Sequence, residues 1–155
     1  MVALPSCHAE LRAQRPLPYS PEPQTIGEHI RKKRCEMGLF QREVAETIGV
    51  KKAAIFNWEN GVTQPKIRSM PKIFEFLGYI PSVAMSPIIS TLSDRIIAYR
   101  KLHGISQKKF ARELGVDSGT LGRWEKDMSV PCKQMVDVLE PLLNARHPLP
   151  IPTSL

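Results

Sequence analysis

The chain of 155 residues is poor in cysteine and has no long apolar run. Its three cysteines, Cys7, Cys35 and Cys132, are odd in number and widely spaced, which argues against a disulfide framework and favours a reducing cytosol. No apolar stretch approaches the roughly 18 residues that a membrane-spanning helix needs. The first residues lack a basic region followed by an apolar one, so they predict no secretory signal. We therefore expect a cytoplasmic protein that does not enter a membrane.

The spacings of enzyme and metal-binding motifs are missing as well. Cys7 and His8 are adjacent but have no CxxC or HxxxH partner, so we predict no metal site. No nucleophile is paired with a base and no glycine-rich loop could hold a phosphate, so we predict no enzyme, no catalytic residue and no cofactor. The four histidines are predicted to be surface or tail residues: His8, His29, His103 and His147.

Acidic residues are outnumbered by basic ones. The sequence has 22 Lys and Arg against 15 Asp and Glu, which gives a formal net charge of +7. This balance favours a polyanionic partner, either nucleic acid or an anionic membrane surface. The hydrophobic share of 42% is ordinary for a globular protein, so a core is expected. Prolines are frequent at both ends, and residues 1–24 and 145–155 are predicted to be flexible tails.

Between the tails, one pattern occurs twice at a constant offset of 66 residues. The first instance is QREVAETIGVKKAAIFNWENG, from Gln41, and the second is QKKFARELGVDSGTLGRWEKD, from Gln107. Agreement at many positions without a gap indicates the internal duplication of one small domain. We place a first copy at 25–80 and a second copy at 91–144, joined by a short proline-containing linker at 81–90.

Helical periodicity fills both copies, and no convincing strand pattern is present. Thr25 and Glu28 form a capping-box pattern at the first helix, in which Glu28 would accept from the N–H of Thr25. Ser106 and Asp117 can cap helices of the second copy, whereas Phe40 and Lys51 at the equivalent places cannot. The predicted helices are 25–37, 41–48, 52–60 and 69–77 in the first copy, and 91–103, 107–114, 118–126 and 133–143 in the second.

The repeated pattern predicts a helix-turn-helix. Ala45 is small enough for the second and third helices to cross closely, and Gly49 suits the positive φ of the turn between them. Val50, Ile55 and Trp58 would then face a core while the opposite side of the third helix stays exposed. The second copy has the same pattern. This arrangement leaves the third helix free to enter a major groove.

The spacing Gln-x3-Ala-x3-Gly-Val-x4-Ile/Leu-x2-Trp-Glu resembles the lambda-repressor/Cro-like (Xre family) helix-turn-helix regulators. The resemblance covers about two thirds of the chain. It implies an all-α fold made of two tandem domains of four to five short helices each. It also implies structural ion pairs that hold the third helix, Arg34 with Glu59 and Arg100 with Glu125.

The resemblance further implies which residues bind DNA. Gln41 and Gln107 would bind backbone phosphates at the start of the second helices. Lysine and arginine suit guanine and asparagine suits adenine, so Asn57 and Arg123 are the candidate base contacts, and Lys51 is assigned first to phosphate. The candidates are Gln41, Lys51, Lys52, Ala53, Asn57 and Lys66 in the first copy, and Gln107, Ser118, Gly119, Thr120, Arg123 and Lys133 in the second.

Alternatives stay open for several of these side chains. Each lysine could be a solvated charge, and Gly119 could be only a weak point in its helix. Phe56 could touch a thymine methyl, pack against the other copy or a second chain, or pack against its own first helix.

The sequence therefore predicts a double-stranded DNA-binding transcriptional regulator of the repressor type, from a bacterium or mobile element, and associated with the nucleoid. Two alternatives remain: an antitoxin-type module that binds both an operator and a protein, and an architectural or RNA-binding protein. The predicted partner is double-stranded DNA, while a homodimer or a protein partner is left open.

Overall fold

The computed structural model describes residues 19–85 and 91–144. Within these ranges the regular structure is entirely helical, as predicted for an all-α fold. The predictions for residues 1–18, most of the N-terminal arm, and for the tail 145–155 lie outside the described residues. The α-helices of the described ranges are α1 (Ile26–Glu36), α2 (Gln41–Ile48), α3 (Lys52–Glu59), α4 (Met70–Leu77), α5 (Leu92–His103), α6 (Gln107–Glu113), α7 (Ser118–Trp124) and α8 (Lys133–Leu143).

The first helix begins at a side-chain cap. The hydroxyl oxygen of Thr25 accepts a hydrogen bond from the Glu28 N–H at 3.1 Å. The Glu28 carboxylate accepts in turn from the backbone N–H of Gln24, at 2.7 Å, and not from that of Thr25 as we had predicted. The first bond satisfies a donor that a helix N-terminus leaves without an intrahelical partner, and the second holds the residue that precedes the cap.

The second copy has the better helix caps, for the reason that its sequence suggests. Ser106 accepts from the N–H of Lys109 at 3.3 Å, and Asp117 Oδ1 accepts from the N–H of Gly119 at 2.8 Å. At the equivalent place before α2, the Phe40 side chain has no acceptor. There the Glu43 carboxylate accepts from the Phe40 N–H at 2.7 Å and supplies half of the usual reciprocal pair.

Each copy has its own apolar core, built from the residues at helical spacing. The first core contains Ile30, Val44, Ile55 and Phe74, all fully buried, with Trp58 at its edge. In the second core, Ile96, Phe110, Leu121, Trp124 and Leu139 are the main buried residues.

Backbone contact replaces side-chain packing where α1 meets the end of α3. A Cβ placed on Gly27 would lie 1.8 Å from the carbonyl oxygen of Trp58, so only glycine fits. The equivalent residue of the second copy is Ser93, whose hydroxyl donates to Asp127 Oδ2 at 2.8 Å. The two copies therefore have the same arrangement of helices but make different contacts at this point.

The chain stays packed after α4, in the segment that we predicted as a linker. Ser82–Ala84 form a short 3₁₀ helix, and Ala84 and Met85 are buried in the first core. Residues 86–90 lie outside the described residues. The first core also contains Ala98 and Leu102 from α5 of the second copy, so the two copies are in direct contact.

Candidate nucleic-acid interface

The turn between α2 and α3 has the tight geometry that the sequence indicates. Ala45 is buried at the crossing, and its carbonyl oxygen accepts from the N–H groups of Gly49 and Val50, both at 2.9 Å. Gly49 adopts a φ of 77°, and the equivalent Gly115 of the second copy a φ of 71°. A side chain would be strained at either position.

The third helix of the first copy has one buried and one exposed side. Ile55 and Trp58 are buried in the core, whereas Lys52, Ala53 and Phe56 are exposed. Asn57 lies at the border and is half-buried. Phe56 is one of the exposed large apolar residues, with 52% of its surface exposed. We call α3 the first recognition helix.

The third helix of the second copy, α7, has the same division. Leu121 and Trp124 are buried, whereas Ser118, Gly119 and Arg123 are exposed. Thr120 is half-buried. We call α7 the second recognition helix.

A buried carboxylate ties the end of α3 to the rest of its domain. The Glu59 side chain is only 2% exposed and accepts from Arg34 Nε at 2.7 Å and from Arg34 Nη2 at 2.9 Å. This two-pronged contact is the arrangement in which arginine and a carboxylate bind most strongly. The hydrogen bond to Glu59 raises the pKa of Arg34 above its ordinary value.

The second copy contains the same ion pair. Arg100 Nη1 donates to Glu125 Oε1, and both side chains are about one-tenth exposed, at 11% each. Arg100 Nε donates to the carbonyl oxygen of Ile105 at 3.2 Å. In each copy, a charged pair thus connects the C-terminal end of the recognition helix to the first helix of the same copy.

The glutamines that open α2 and α6 join these pairs. Gln41 Nε2 donates to Glu59 Oε2 at 2.8 Å, and Gln107 Nε2 donates to Glu125 Oε2 at 2.9 Å. A side-chain amide has two N–H donors, so one donor positions the glutamine while the other can serve a phosphate. This contact with the carboxylate was not anticipated from the sequence.

A basic cleft lies beside Gln41. It is lined by Arg34, Phe40, Gln41, Arg42 and Lys52. Arg42 was missed as a candidate, although the sequence carries a signal, because Lys108 is the equivalent residue of the second copy. Both basic residues follow the glutamine at the start of a helix, where N–H groups already favour an anion.

A shallow cleft also runs along the exposed side of α7. Gln107, Ser118, Gly119 and Arg123 line it together with Lys126, which was not among the predicted site residues. The structure therefore brings four predicted residues of the second copy to one surface. It places Lys51, Lys66 and Lys133 at exposed positions outside these two clefts.

Thr120 has a local partner. Its hydroxyl donates to Asp117 Oδ2, and its N–H donates to Asp117 Oδ1 at 3.0 Å. These bonds, the side-chain bond first, hold the pKa of Asp117 below its ordinary value. The start of α7 therefore carries a carboxylate where the first copy has Lys51, and the Thr120 side chain serves the cap.

Two kinds of feature are absent from the ranges 19–85 and 91–144. These ranges contain no group of three or more His, Cys, Asp or Glu side chains that could hold a metal ion. No helix in the same residues is both long and apolar enough to cross a bilayer.

The tight turn and the exposed, anchored third helix define the class: both copies are helix-turn-helix domains. Comparison with known proteins agrees, because the family described as Helix-turn-helix matches residues 30–82 and 96–136, more than half of the chain. No curated protein and no solved structure gives a significant match. The chain belongs to this helix-turn-helix family, with two tandem copies of the lambda-repressor/Xre-like domain, and is a DNA-binding regulator.

Proposed function

We propose that the chain is a sequence-specific transcriptional repressor that inserts α3 and α7 into the major groove of double-stranded DNA. The observation that carries the proposal is the arrangement common to both copies. In each, an arginine, a glutamate and a glutamine fix an exposed helix whose outer side carries hydrogen-bonding side chains. Rigid placement of such a helix is what direct contact with base edges requires.

The base contacts fall to side chains on the exposed sides of the recognition helices. Arg123 is exposed on α7 and has the fork geometry that matches O6 and N7 of guanine. On α3, Lys52 can donate to guanine, and the amide of Asn57 can pair with adenine. Ala53 and Gly119 are exposed and small, so they allow the helix backbone to approach the bases.

Phosphate contacts position each domain. The second donors of Gln41 and Gln107, with Arg42 and Lys108 beside them, lie at the starts of α2 and α6. Lys51, Lys66 and Lys133 are exposed and available for the same task. Such contacts raise affinity for every duplex and carry no sequence information.

Repression is the regulatory outcome that requires no interaction surface other than the one for DNA. A protein that occupies an operator can block transcription by its presence alone, whereas activation also needs a surface for the transcription machinery. We therefore assign the simplest role that two DNA-binding domains can perform. The polyanionic partner favoured by the charge of +7 is DNA on this proposal.

The test is selection of bound duplexes from a random pool by the full chain, followed by affinity measurements on the selected and on random duplexes. We expect one enriched sequence, bound at least about 10³-fold more tightly than random DNA. The matched control is the double variant N57A/R123A, which should lose most of the enrichment while binding random duplexes only slightly more weakly, because one positive charge is removed. Equal affinity of the wild type for all duplexes, with a steep salt dependence, would instead support an architectural role.

A further inference from the structure

The two copies are joined head to tail. Helix α4 of the first copy packs between α1 of its own copy and α5 of the second copy, and α5 packs in turn against α8. Ala98 and Leu102 of α5 are each 8% exposed and belong to the first core. Lys101 Nζ donates to the carbonyl oxygen of Ala84 at 2.6 Å. The helices α1, α4, α5 and α8 therefore form one continuous row.

This contact is not of the two-fold kind. At the offset of 66, α5 corresponds to α1 and α8 corresponds to α4. A two-fold axis would pair each contact with its reciprocal, so that α4 against α5 would require an equal contact of α8 against α1. Among the described residues, α1 and α8 form no such extensive contact. The second copy thus follows the first as the next unit of a linear repeat, and it does not face the first copy across a two-fold axis.

The positions equivalent to those at the contact carry charged residues at the two ends of the row. Ala98 and Leu102 correspond to Lys32 and Glu36 on α1, and Glu36 is exposed. At the other end, Pro71 and Phe74 of α4 correspond to Asp137, which is exposed, and to Glu140, which binds Arg95 at 2.9 Å. Ala98, Leu102 and Pro71 at the contact between the copies thus have charged residues at the equivalent positions.

A glycine marks the contact. Gly104 follows α5 with a φ of 64°, and a Cβ there would lie 3.0 Å from Pro71 Cγ and 3.2 Å from the carbonyl oxygen of Arg68. The equivalent Gly38 has a φ of 68° and nothing within 4 Å of the same position. The first copy therefore packs closely against the turn after α5, whereas nothing packs against the equivalent turn after α1 at this position.

We propose that the docked copies act as one rigid unit that binds two half-sites in the same direction at a single fixed spacing. The inference rests on the proposed function. If both domains bind the duplex in the same manner, their relation must match a symmetry of the double helix. That symmetry is either a two-fold axis, which gives inverted half-sites, or a rotation and translation along the helix axis. The contact between the copies is not two-fold, so the copies must be related by a rotation and translation along the helix axis. This relation gives half-sites in direct repeat.

The rigid docking is tested without DNA. Residual dipolar couplings and ¹⁵N relaxation of the full chain should fit one alignment tensor and one rotational diffusion tensor for both copies. The variant A98K/L102E gives α5 the residues of α1, and it should need two tensors. Neither residue belongs to the second core, so that copy should stay folded. Separate tensors in the wild type, or a two-fold relation between the copies, would overturn the inference.

A matched pair of glycine variants supports this measurement. Gly104→Leu and Gly38→Leu place the same side chain at nearly the same φ, so their backbone strain is alike. Only the leucine at 104 meets the first copy, because a Cβ there already lies 3.0 Å from Pro71. We expect Gly104→Leu to increase independent motion of the copies, whereas Gly38→Leu should leave the copies docked as in the wild type. Equal behaviour of the pair would contradict the proposed contact.

The direct repeat is tested by giving both recognition helices the same exposed residues. The variant K52S/A53G/F56G/N57R copies the outer side of α7 onto α3, and selection from a random pool should return one short sequence twice in the same direction. Moving these half-sites apart by about five base pairs, half a turn, should weaken binding about 10²-fold because only one domain then binds. The same insertion should cost much less when A98K/L102E is added.

The outcomes separate the two proposals. An inverted repeat, a single half-site or freely variable spacing would overturn the direct repeat while supporting sequence-specific binding. Failure of the wild type to enrich any duplex would contradict the proposed function and the direct repeat together.

Discussion

Gln41 and Glu59 are joined by a hydrogen bond, with Nε2 of the glutamine 2.8 Å from Oε2 of the glutamate. Gln41 opens α2 and Glu59 ends α3, so the bond connects the far ends of the helix-turn-helix. Arg34 binds the same carboxylate from α1. A residue proposed to bind phosphate is therefore positioned by the pair that also holds the recognition helix.

Replacing Glu59 with alanine should lower the free energy of unfolding by about 3–5 kcal/mol, because Arg34 would be left partly buried without its partner. Urea unfolding of the wild type and the variant measures the difference. The control is Glu46→Ala, since Glu46 forms an exposed pair with Arg42 at 3.8 Å and should change stability by less than about 1 kcal/mol. Similar losses in both variants would show that Glu59 acts as an ordinary surface charge.

Replacing both Gln41 and Gln107 with alanine should weaken binding to every duplex by a similar factor, because phosphate contacts do not distinguish sequences. Titration of the selected duplex and of a random duplex checks this at a temperature where the variant is fully folded. Thr47→Ala is the control, since Thr47 lies at the opposite end of α2 and its hydroxyl donates to the Glu43 carbonyl oxygen. A loss confined to the selected duplex would assign the glutamines to base contacts instead.

The sequence was sufficient for the helices and the turn because glycines and buried apolar residues mark them directly. The sequence predicts that α7 ends at residue 126, which is wrong, because the helix ends at Trp124. There the N–H groups of Lys126 and Asp127 bond to the carbonyls of Arg123 and Trp124, three residues back. Such bonds tighten a last turn into 3₁₀ geometry, and no side chain in the sequence signals this change.

The contact between the copies could not be predicted from apolar spacing alone. Ala98 and Leu102 have the helical spacing of any core residue, yet they are buried in the core of the other copy. The available signal was a difference between the copies, since α1 has Lys32 and Glu36 at the equivalent positions. A duplicated chain that loses charge from one copy alone at matched positions indicates a surface that the other copy covers.

Replacing Arg123 with alanine should reduce discrimination at one base position by about 1–3 kcal/mol, because its fork can bind two acceptors of guanine. The exposed position predicts little change in stability. The measurement compares affinities for the selected duplex and for duplexes changed at single positions. Arg123→Lys is the matched variant: it keeps the charge and the salt dependence but should lose most of the discrimination. Equal weakening of all duplexes by Arg123→Ala would reassign this residue to phosphate.

His29 should make stability depend on pH. We predicted a surface residue, but His29 is half-buried, and its Nδ1 lies 2.9 Å from the hydroxyl of Tyr79. Burial first, and then the charge of Lys32, hold the pKa of His29 below its ordinary value. As pH falls below about 6.5, the unfolded chain therefore takes up a proton before the folded chain does, and the free energy of unfolding decreases.

The variant His29→Gln removes this contribution, so we expect it to lose less stability than the wild type as pH falls. The measurement is urea unfolding of both chains from pH 8 to pH 5 at constant ionic strength, expressed as the difference between them at each pH. The difference at pH 8 reports the lost contacts, since the imidazole is neutral in both states there. As pH falls below about 6.5, the difference in the free energy of unfolding should shift in favour of the variant. It should become constant once the imidazole of the folded chain is also protonated. A difference that does not change with pH would show that His29 takes up its proton equally in both states.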